Sequence, residues 1–353
     1  VNPRRLSLVA VLTVVAIASC SARREDAAVP RAPAGDATAI DAAAPVASVA
    51  DAAPSTVDAP PAPSSAPSDP FVQSDKCPAN MAFVSGQFCP EVERKCLHAE
   101  RIKDERITIC HEFEKGSTKC LAPRVPRAFC VDRYEYPNEA GAHPPWVVTW
   151  TDAQATCESK QKRLCYESEW TMACEGPDET PFPYGWVRDN TACNIDNNFI
   201  PIDVWKMASH KPSVRDPAVE KCDQSVPSGA LSRCVSGYGV HDTTGNFDEW
   251  VTREGPAWRE MGATGKWAGL KGGAWGHVRN ACRPMTTSHM PDWGYYFVSF
   301  RCCADAKGEP PMVLKDVMPR PHVEPKDRAP IPHPQHSPGP DPADKKVPKD
   351  RGY

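Results

Sequence analysis

The chain reads as an α+β domain with little regular secondary structure, stapled by disulfides. Three observations predict this class. Periodic apolar signals are short, and Gly, Pro and Asn recur too often for long helices or a regular parallel sheet. Sixteen cysteines in 353 residues exceed what a reducing compartment normally sustains, and the spacings Cys77, Cys89, Cys96, Cys110, Cys120 and Cys130 fit no CxxC zinc pattern. Two helices are nonetheless legible, each carrying a cysteine on its apolar face.

Residues 1–20 have the layout of a lipoprotein signal peptide. Arg4 and Arg5 precede an apolar run from Leu8 to Ala18, which ends at Ile17-Ala18-Ser19-Cys20. That ending resembles a lipobox, in which the cysteine is acylated and becomes the new N-terminus, so Cys20 is the expected lipidation site. The run is shorter than the roughly 20 residues that span a bilayer. The expected location is therefore outside the cytoplasm, lipid-anchored to a bacterial cell envelope, with the periplasmic face or outer membrane favoured because no Asp follows Cys20.

Residues 21–75 are dominated by Ala, Pro, Ser and Asp and hold almost no aromatic side chains, too little apolar surface to offset ordering entropy. They are predicted to form a disordered tether with a reach of roughly 40 Å. The folded domain is assigned to 76–305. Residues 306–353 are so rich in proline and charge that a second disordered tail is predicted. With 41 basic against 45 acidic residues, the net charge of −4 leaves no electrostatic footprint for nucleic acid.

Within the domain, Thr151 followed by Gln154 reads as a capping box, opening a helix that places Ala153 and Cys157 on one face. A second helix is predicted from Glu167 to Cys174, with Trp170, Ala173 and Cys174 facing the core together. The aromatic residues Trp258, Trp267, Trp275, Trp293, Tyr295 and Tyr296 are read mainly as core, since their rings supply large buried area. No HExxH, P-loop or GxSxG motif occurs.

Four segments carry a family resemblance. FCVDRYEYPN (129–138) is similar to the F-x-I-D-R-Y-E-V-T-N opening of the formylglycine-generating enzyme, or sulfatase-modifying factor, family. The stretch from Val147 to Trp186 follows its V-x-W-x-D-A, R-L-P-T-E-A-E-W-E and Y-P-W-G sequence. YGVHDTTGNFDEWV (238–251) matches G-L-Y-D-M-S-G-N-V-W-E-W, and KGGAWGHVRNACRP (271–284) resembles R-G-G-S-W, leading to FRCCAD near the end. Four such segments in family order imply the family's fold, a compact variant of the C-type lectin fold.

The resemblance also implies a site, with departures. Enzymes of the family hold Cu(I) between two cysteines and use oxygen to convert a sulfatase cysteine to formylglycine; soft thiolates select Cu(I). Aligned on Gly272-Gly273, the second cysteine is Cys282, but the first position holds His277, the active-site serine position holds Ala274, and the motif's tryptophan position holds Asp248. The candidate catalytic pair is thus His277 with Cys282. The resemblance further implies a Cys157–Cys302 disulfide; a Cys174–Cys282 bridge is proposed because the family's partner for Cys174 is replaced by Thr287. Vicinal Cys302 and Cys303 are read as belonging to two separate bridges.

Two calcium sites are implied as well, the first from Asp242, Thr243, Gly245 and Phe247, and the second beginning at Asn194 and Ile195 with no further ligands placed around Asp223. The same residues also suit ordinary Asx-type turns. Two functions follow: an envelope-anchored, catalytically divergent module that binds a protein or glycan ligand, or a copper- and oxygen-dependent oxidase acting on sulfatases. Residues 248, 274 and 277 separate them.

Overall fold

The computed structural model describes residues 69–102, 107–207, 209, 211–254, 268–277 and 279–312. The chain divides into units 1–62 and 63–353, and every described residue belongs to the second. Cys20, the tether up to residue 68, Trp258, Trp267 and the tail from 313 lie outside the described residues.

In chain order the elements are β1 (Met81–Phe88), β2 (Val92–Glu93), β3 (Cys96–Ile102), β4 (Ile107–Phe113), β5 (Lys119–Cys120) and β6 (Val125–Asp132). Then follow α1 (Trp150–Ser159), β7 (Arg163–Leu164), α2 (Glu167–Glu175), α3 (Val204–Met207) and α4 (Pro212–Glu220). The last stretch holds β8 (Asp248–Thr252), β9 (Ala268–Lys271), β10 (Met285–Thr286), β11 (Val298–Phe300) and β12 (Cys302–Asp305). Elements are short and loops are long, as the Gly, Pro and Asn distribution predicts.

Two four-stranded sheets frame the core. The first runs β1-β6-β12-β7, with Met81 opposite Asp132 and Cys303 opposite Val131, all antiparallel. The second runs β10-β9-β8-β11, with β11 parallel to β8 and Val298 opposite Asp248. Helix α2 contacts strands of both sheets, and its Trp170 is wholly buried, packed in one cluster with Val84, Phe129, Val131 and Val251. Trp150, Leu164, Trp250, Leu270 and Phe300 form a second cluster beside α1. Burying such aromatic side chains supplies the apolar area that short elements alone cannot.

Helix α1 begins two residues earlier than the predicted capping box. Thr149 is its N-cap, its hydroxyl accepting from the Asp152 N–H at 3.0 Å. The earlier start brings Trp150 onto the buried face with Ala153 and Cys157, a gain that capping at Thr151 would forgo. Helix α2 spans 167–175, where the Glu169 carboxylate accepts from the Tyr166 N–H at 2.9 Å and closes the first turn.

Among the described residues, seven disulfides staple the domain. Cys77–Cys130, Cys89–Cys120 and Cys96–Cys110 hold the N-terminal hairpins. Cys157–Cys302 and Cys165–Cys303 fix β12 through its vicinal cysteines, Cys174–Cys282 ties α2 to the segment before β10, and Cys193–Cys234 joins two loops. Cys222 is reduced and buried.

Packing also reaches beyond the predicted limits of 76 and 305. Phe71 lies under the Arg133 guanidinium at 3.8 Å and Asp69 pairs with Arg133, so residues 69–75 belong with the domain rather than the tether. At the other end, Ala306 is buried and Glu309 pairs with Lys76. A single aromatic residue and two charges, too few to register in composition, anchor these edges.

A buried ion pair joins the sheets. Arg301, between β11 and β12, forks onto Glu249 of β8 at 2.6 and 2.7 Å and donates to the carbonyls of Asp132 and His241. The Trp170 indole N–H donates to the same carboxylate at 2.8 Å. With both carboxylate oxygens engaged, the pair meets the condition under which burying opposite charges is tolerable.

Candidate functional site

The turn after β9 sets the geometry of the implied active site. Gly272 and Gly273 take φ of +92° and +72°, and a Cβ at Gly273 would press on Asn280, so only glycine fits. The Gly273 N–H donates to Asp248 Oδ1 at 2.9 Å, while Asp248 Oδ2 meets His277 Nδ1 at 2.8 Å. Asp248 is buried, and the His277 and Phe297 rings meet in a T-shaped contact with centroids 4.4 Å apart. Two of the three positions where the chain departs from the family motif therefore touch: the carboxylate in place of tryptophan orients the imidazole in place of cysteine. Ala274 is buried in the same turn, and its carbonyl accepts from the His277 N–H at 2.9 Å.

Cys282 is fully buried and bonded to Cys174, so no thiolate pair stands here for Cu(I). Copper does not fit the residues present. Among the described residues no group of three or more His, Cys, Asp or Glu side chains is arranged for a metal ion. Thr287 lines a cavity of about 360 Å³ together with His277, Arg279 and Ser288.

A larger cavity, about 520 Å³, lies between the β3–β4 hairpin and residues 279–285. Ile107, Ile109 and Phe113 supply one wall; Pro181, Phe182 and Met285 supply another, with Arg188 and Arg279 beside them. The N-terminal hairpins, to which the sequence assigned no role, thus build half of a groove beside Cys282. The alternation of ITICHEF and its bracketing cysteines is the signal that would have identified a hairpin there.

The first implied calcium loop is held at φ of +57° for Asp242 and +56° for Asn246. Asp242 is buried, accepts from the Gly229 N–H at 2.7 Å, and has its carboxyl pushed up to about 7, chiefly by burial and also by the Glu249 charge. Glu135, which sequence reading did not single out although it sits in the quoted FCVDRYEYPN motif, is raised well above the usual carboxylate range by burial and by Asp242. One of its oxygens accepts from Asn246 Nδ2 at 2.7 Å, and the other is buried without a partner, as is the Thr243 hydroxyl. Arg301, the cation whose charge reaches both, is already engaged by Glu249. Two buried carboxylates with an unused oxygen fit a hard divalent cation. At the second position, by contrast, Asn194 Oδ1 accepts from Asn197 and the Asn194 carbonyl accepts from the Asn246 N–H. Those oxygens are occupied internally, and Ile195 is core.

Residues 119–306 match the profile of the sulfatase-modifying factor enzyme 1-like domain, more than half of the chain. The chain belongs to the sulfatase-modifying factor family. Formylglycine-generating enzyme of Mus musculus is similar at 26% identity over 176 residues, covering 46% of this chain and 44% of the mouse protein, so the chain matches under half of that relative's length. The crystal structure of CarF aligns with a TM-score of 0.40 and 13% identity, over 65% of this chain and 98% of its own. PvdO from Pseudomonas aeruginosa aligns with a TM-score of 0.36 and 15% identity, over 66% of this chain and 96% of its own. Within the family's site, this member carries a histidine–aspartate contact and a disulfide.

Proposed function

We propose that this chain is a cell-envelope lipoprotein, anchored through Cys20, whose sulfatase-modifying-factor-like domain has lost the oxidase chemistry and serves as a binding or assembly module for a protein or glycan. The observation that carries the reading is the Cys174–Cys282 bridge. A sulfur in a disulfide is not a thiolate and cannot ligate Cu(I) as one. His277, the other candidate ligand, is turned onto Asp248 through Nδ1. The groove between the β3–β4 hairpin and residues 279–285 supplies an apolar surface with arginines, suited to an extended segment of a partner. Calcium at Asp242 and Glu135 would hold the adjoining loop by neutralising buried charge and takes no part in chemistry.

The test is a formylglycine assay on the full chain with copper, oxygen and a Cys-x-Pro-x-Arg peptide, with and without thiol reductant, alongside mass spectrometry of the non-reduced digest. The expected results are a linked Cys174–Cys282 peptide and no aldehyde product. A free Cys282 together with formylglycine formation would establish the oxidase instead.

A further inference from the structure

A third cavity, about 340 Å³, opens at the N-terminus of α2, and its lining includes Phe88, Arg127, Glu167, Thr171, Lys271 and Met285. Lys271 ends β9 at the position where the family's R-G-G-S-W strand begins with arginine. The difference matters, because a guanidinium cannot shed its proton in a protein and a lysine ammonium can. Lys271 is 3% exposed, donates to the Arg283 carbonyl at 3.0 Å, stands 5.3 Å over the Trp170 ring, and makes no ion pair among the described residues. Opposite it, Glu167 opens α2 with one carboxylate oxygen buried and unpartnered. Of the neighbouring charges, Arg127 pairs with Glu254, Arg283 forks onto Glu175, and Glu254 caps the Ser168 N–H at 2.6 Å, while Arg253, whose charge also reaches Glu167, has two guanidinium nitrogens buried without a hydrogen-bond partner.

Lysine and acid are thus left facing one cavity with spare hydrogen-bonding capacity. Burial lowers Lys271 to about 7 against the pull of Glu167, Glu175 and Glu254, and Arg283 adds to the lowering. Burial also raises Glu167 to about 7, helped by Glu254 and opposed by Lys271 and Arg253. An uncharged amine beside a protonated carboxyl is the pairing that imine formation needs, a nucleophile and a proton relay in one site.

We propose that Lys271 forms imines with small aldehydes admitted to this cavity, with Glu167 relaying the protons. The lysine nitrogen's lone pair makes the C–N bond to the carbonyl carbon, while Glu167 gives a proton to the carbonyl oxygen and takes one from nitrogen. A second exchange of the same kind breaks the C–O bond and releases water, leaving C=N. Nothing is oxidised or reduced, and Glu167 ends as it began. The cavity admits a compound of a few heavy atoms, the size of a two-carbon hydroxyaldehyde.

The experiment treats the full chain at pH 7 with glycolaldehyde and sodium cyanoborohydride and locates the two-carbon adducts by mass spectrometry. Lys271 should be labelled roughly 10²-fold faster than the exposed Lys95, since an amine titrating near 7 is far more often uncharged at that pH. Its labelling should peak near pH 7 rather than keep rising to pH 9. Glu167→Gln should slow labelling at Lys271 about 10²-fold and leave Lys95 unchanged. Labelling of wild-type Lys271 no faster than Lys95, or a profile that simply rises with pH, overturns the proposal whatever the variant does.

Discussion

Removing the Cys174–Cys282 bridge by replacing both residues with alanine tests the account of how this domain is held together. The two cysteines lie 108 residues apart, yet both fall inside the loop closed by Cys165–Cys303. In the unfolded chain the shortest closed path through that second bridge is therefore only about 30 residues, and loop-closure entropy assigns the bridge about 3.7 kcal/mol, against about 4.8 for an isolated loop of the full length. Both sulfurs sit fully buried in the cluster around Trp170, so truncation also sacrifices packing worth roughly 1 kcal/mol. Denaturant unfolding of wild type and double variant, with the other bridges intact, should show a loss of about 4 to 5 kcal/mol, seen as a lower midpoint together with a somewhat steeper slope, because the unfolded chain loses a constraint and exposes more surface. A loss below about 1.5 kcal/mol would refute the reasoning, because it would mean that the bridge constrains segments already fixed by their neighbours.

Three further outcomes are expected. Asp242 has a folded-state pKa raised to about 7, so its contribution to stability is fully present below pH 4 and is lost as pH rises through 7; in chelator the melting temperature should fall from pH 5 to pH 8, Asp242→Asn should flatten that fall, and millimolar calcium should oppose it. Coincident melting curves with chelator and with calcium would rule out a cation at this loop. Arg301→Met strands the buried Glu249 carboxylate and should cost about 3 to 5 kcal/mol by denaturant titration, with less than 1 kcal/mol counting against the pair as a joint between the sheets. Thr149→Ala removes the cap on Asp152 N–H and should cost about 1 kcal/mol, whereas Thr151→Ala should cost little; the reverse order would restore the capping position read from the sequence.

The fold was legible in the sequence because its four motif segments are local and contiguous, and because the buried face of α2 repeats at helical spacing. The N-terminal region was not legible to the same depth: six cysteines between 77 and 130 permit fifteen connectivities, and spacing alone selects none of them. The sequence alone points to a start for helix α1 two residues late, because Thr149 and Thr151 both open plausible capping boxes and the choice between them rests on where Trp150 is buried. At the site, His277, Ala274 and Asp248 were each visible as departures, but the contact of His277 with Asp248 required the β9 turn to fold back on β8. Glu135, Lys271 and Glu249 went unremarked because a buried charge and a surface charge are written with the same letter. Their partners come from far along the chain, Asn246 for Glu135 at a separation of 111 residues.

The position of β12 bears on how the molecule comes into being. The last strand of the domain lies between β6 and β7 inside the first sheet, not at its edge. A nascent chain emerging from a ribosome or a translocation pore can close the hairpins held by Cys77, Cys89 and Cys96 early, since their partners follow within 53 residues. The central slot stays vacant until residues 302–305 arrive, and the Arg301 joint cannot form before then. Until that moment β6 and β7 each present an unpaired edge, the kind of surface on which partly made chains aggregate. Truncations anywhere before Asp305 should therefore yield not a smaller folded domain but an open sheet, dependent on chaperones for its survival.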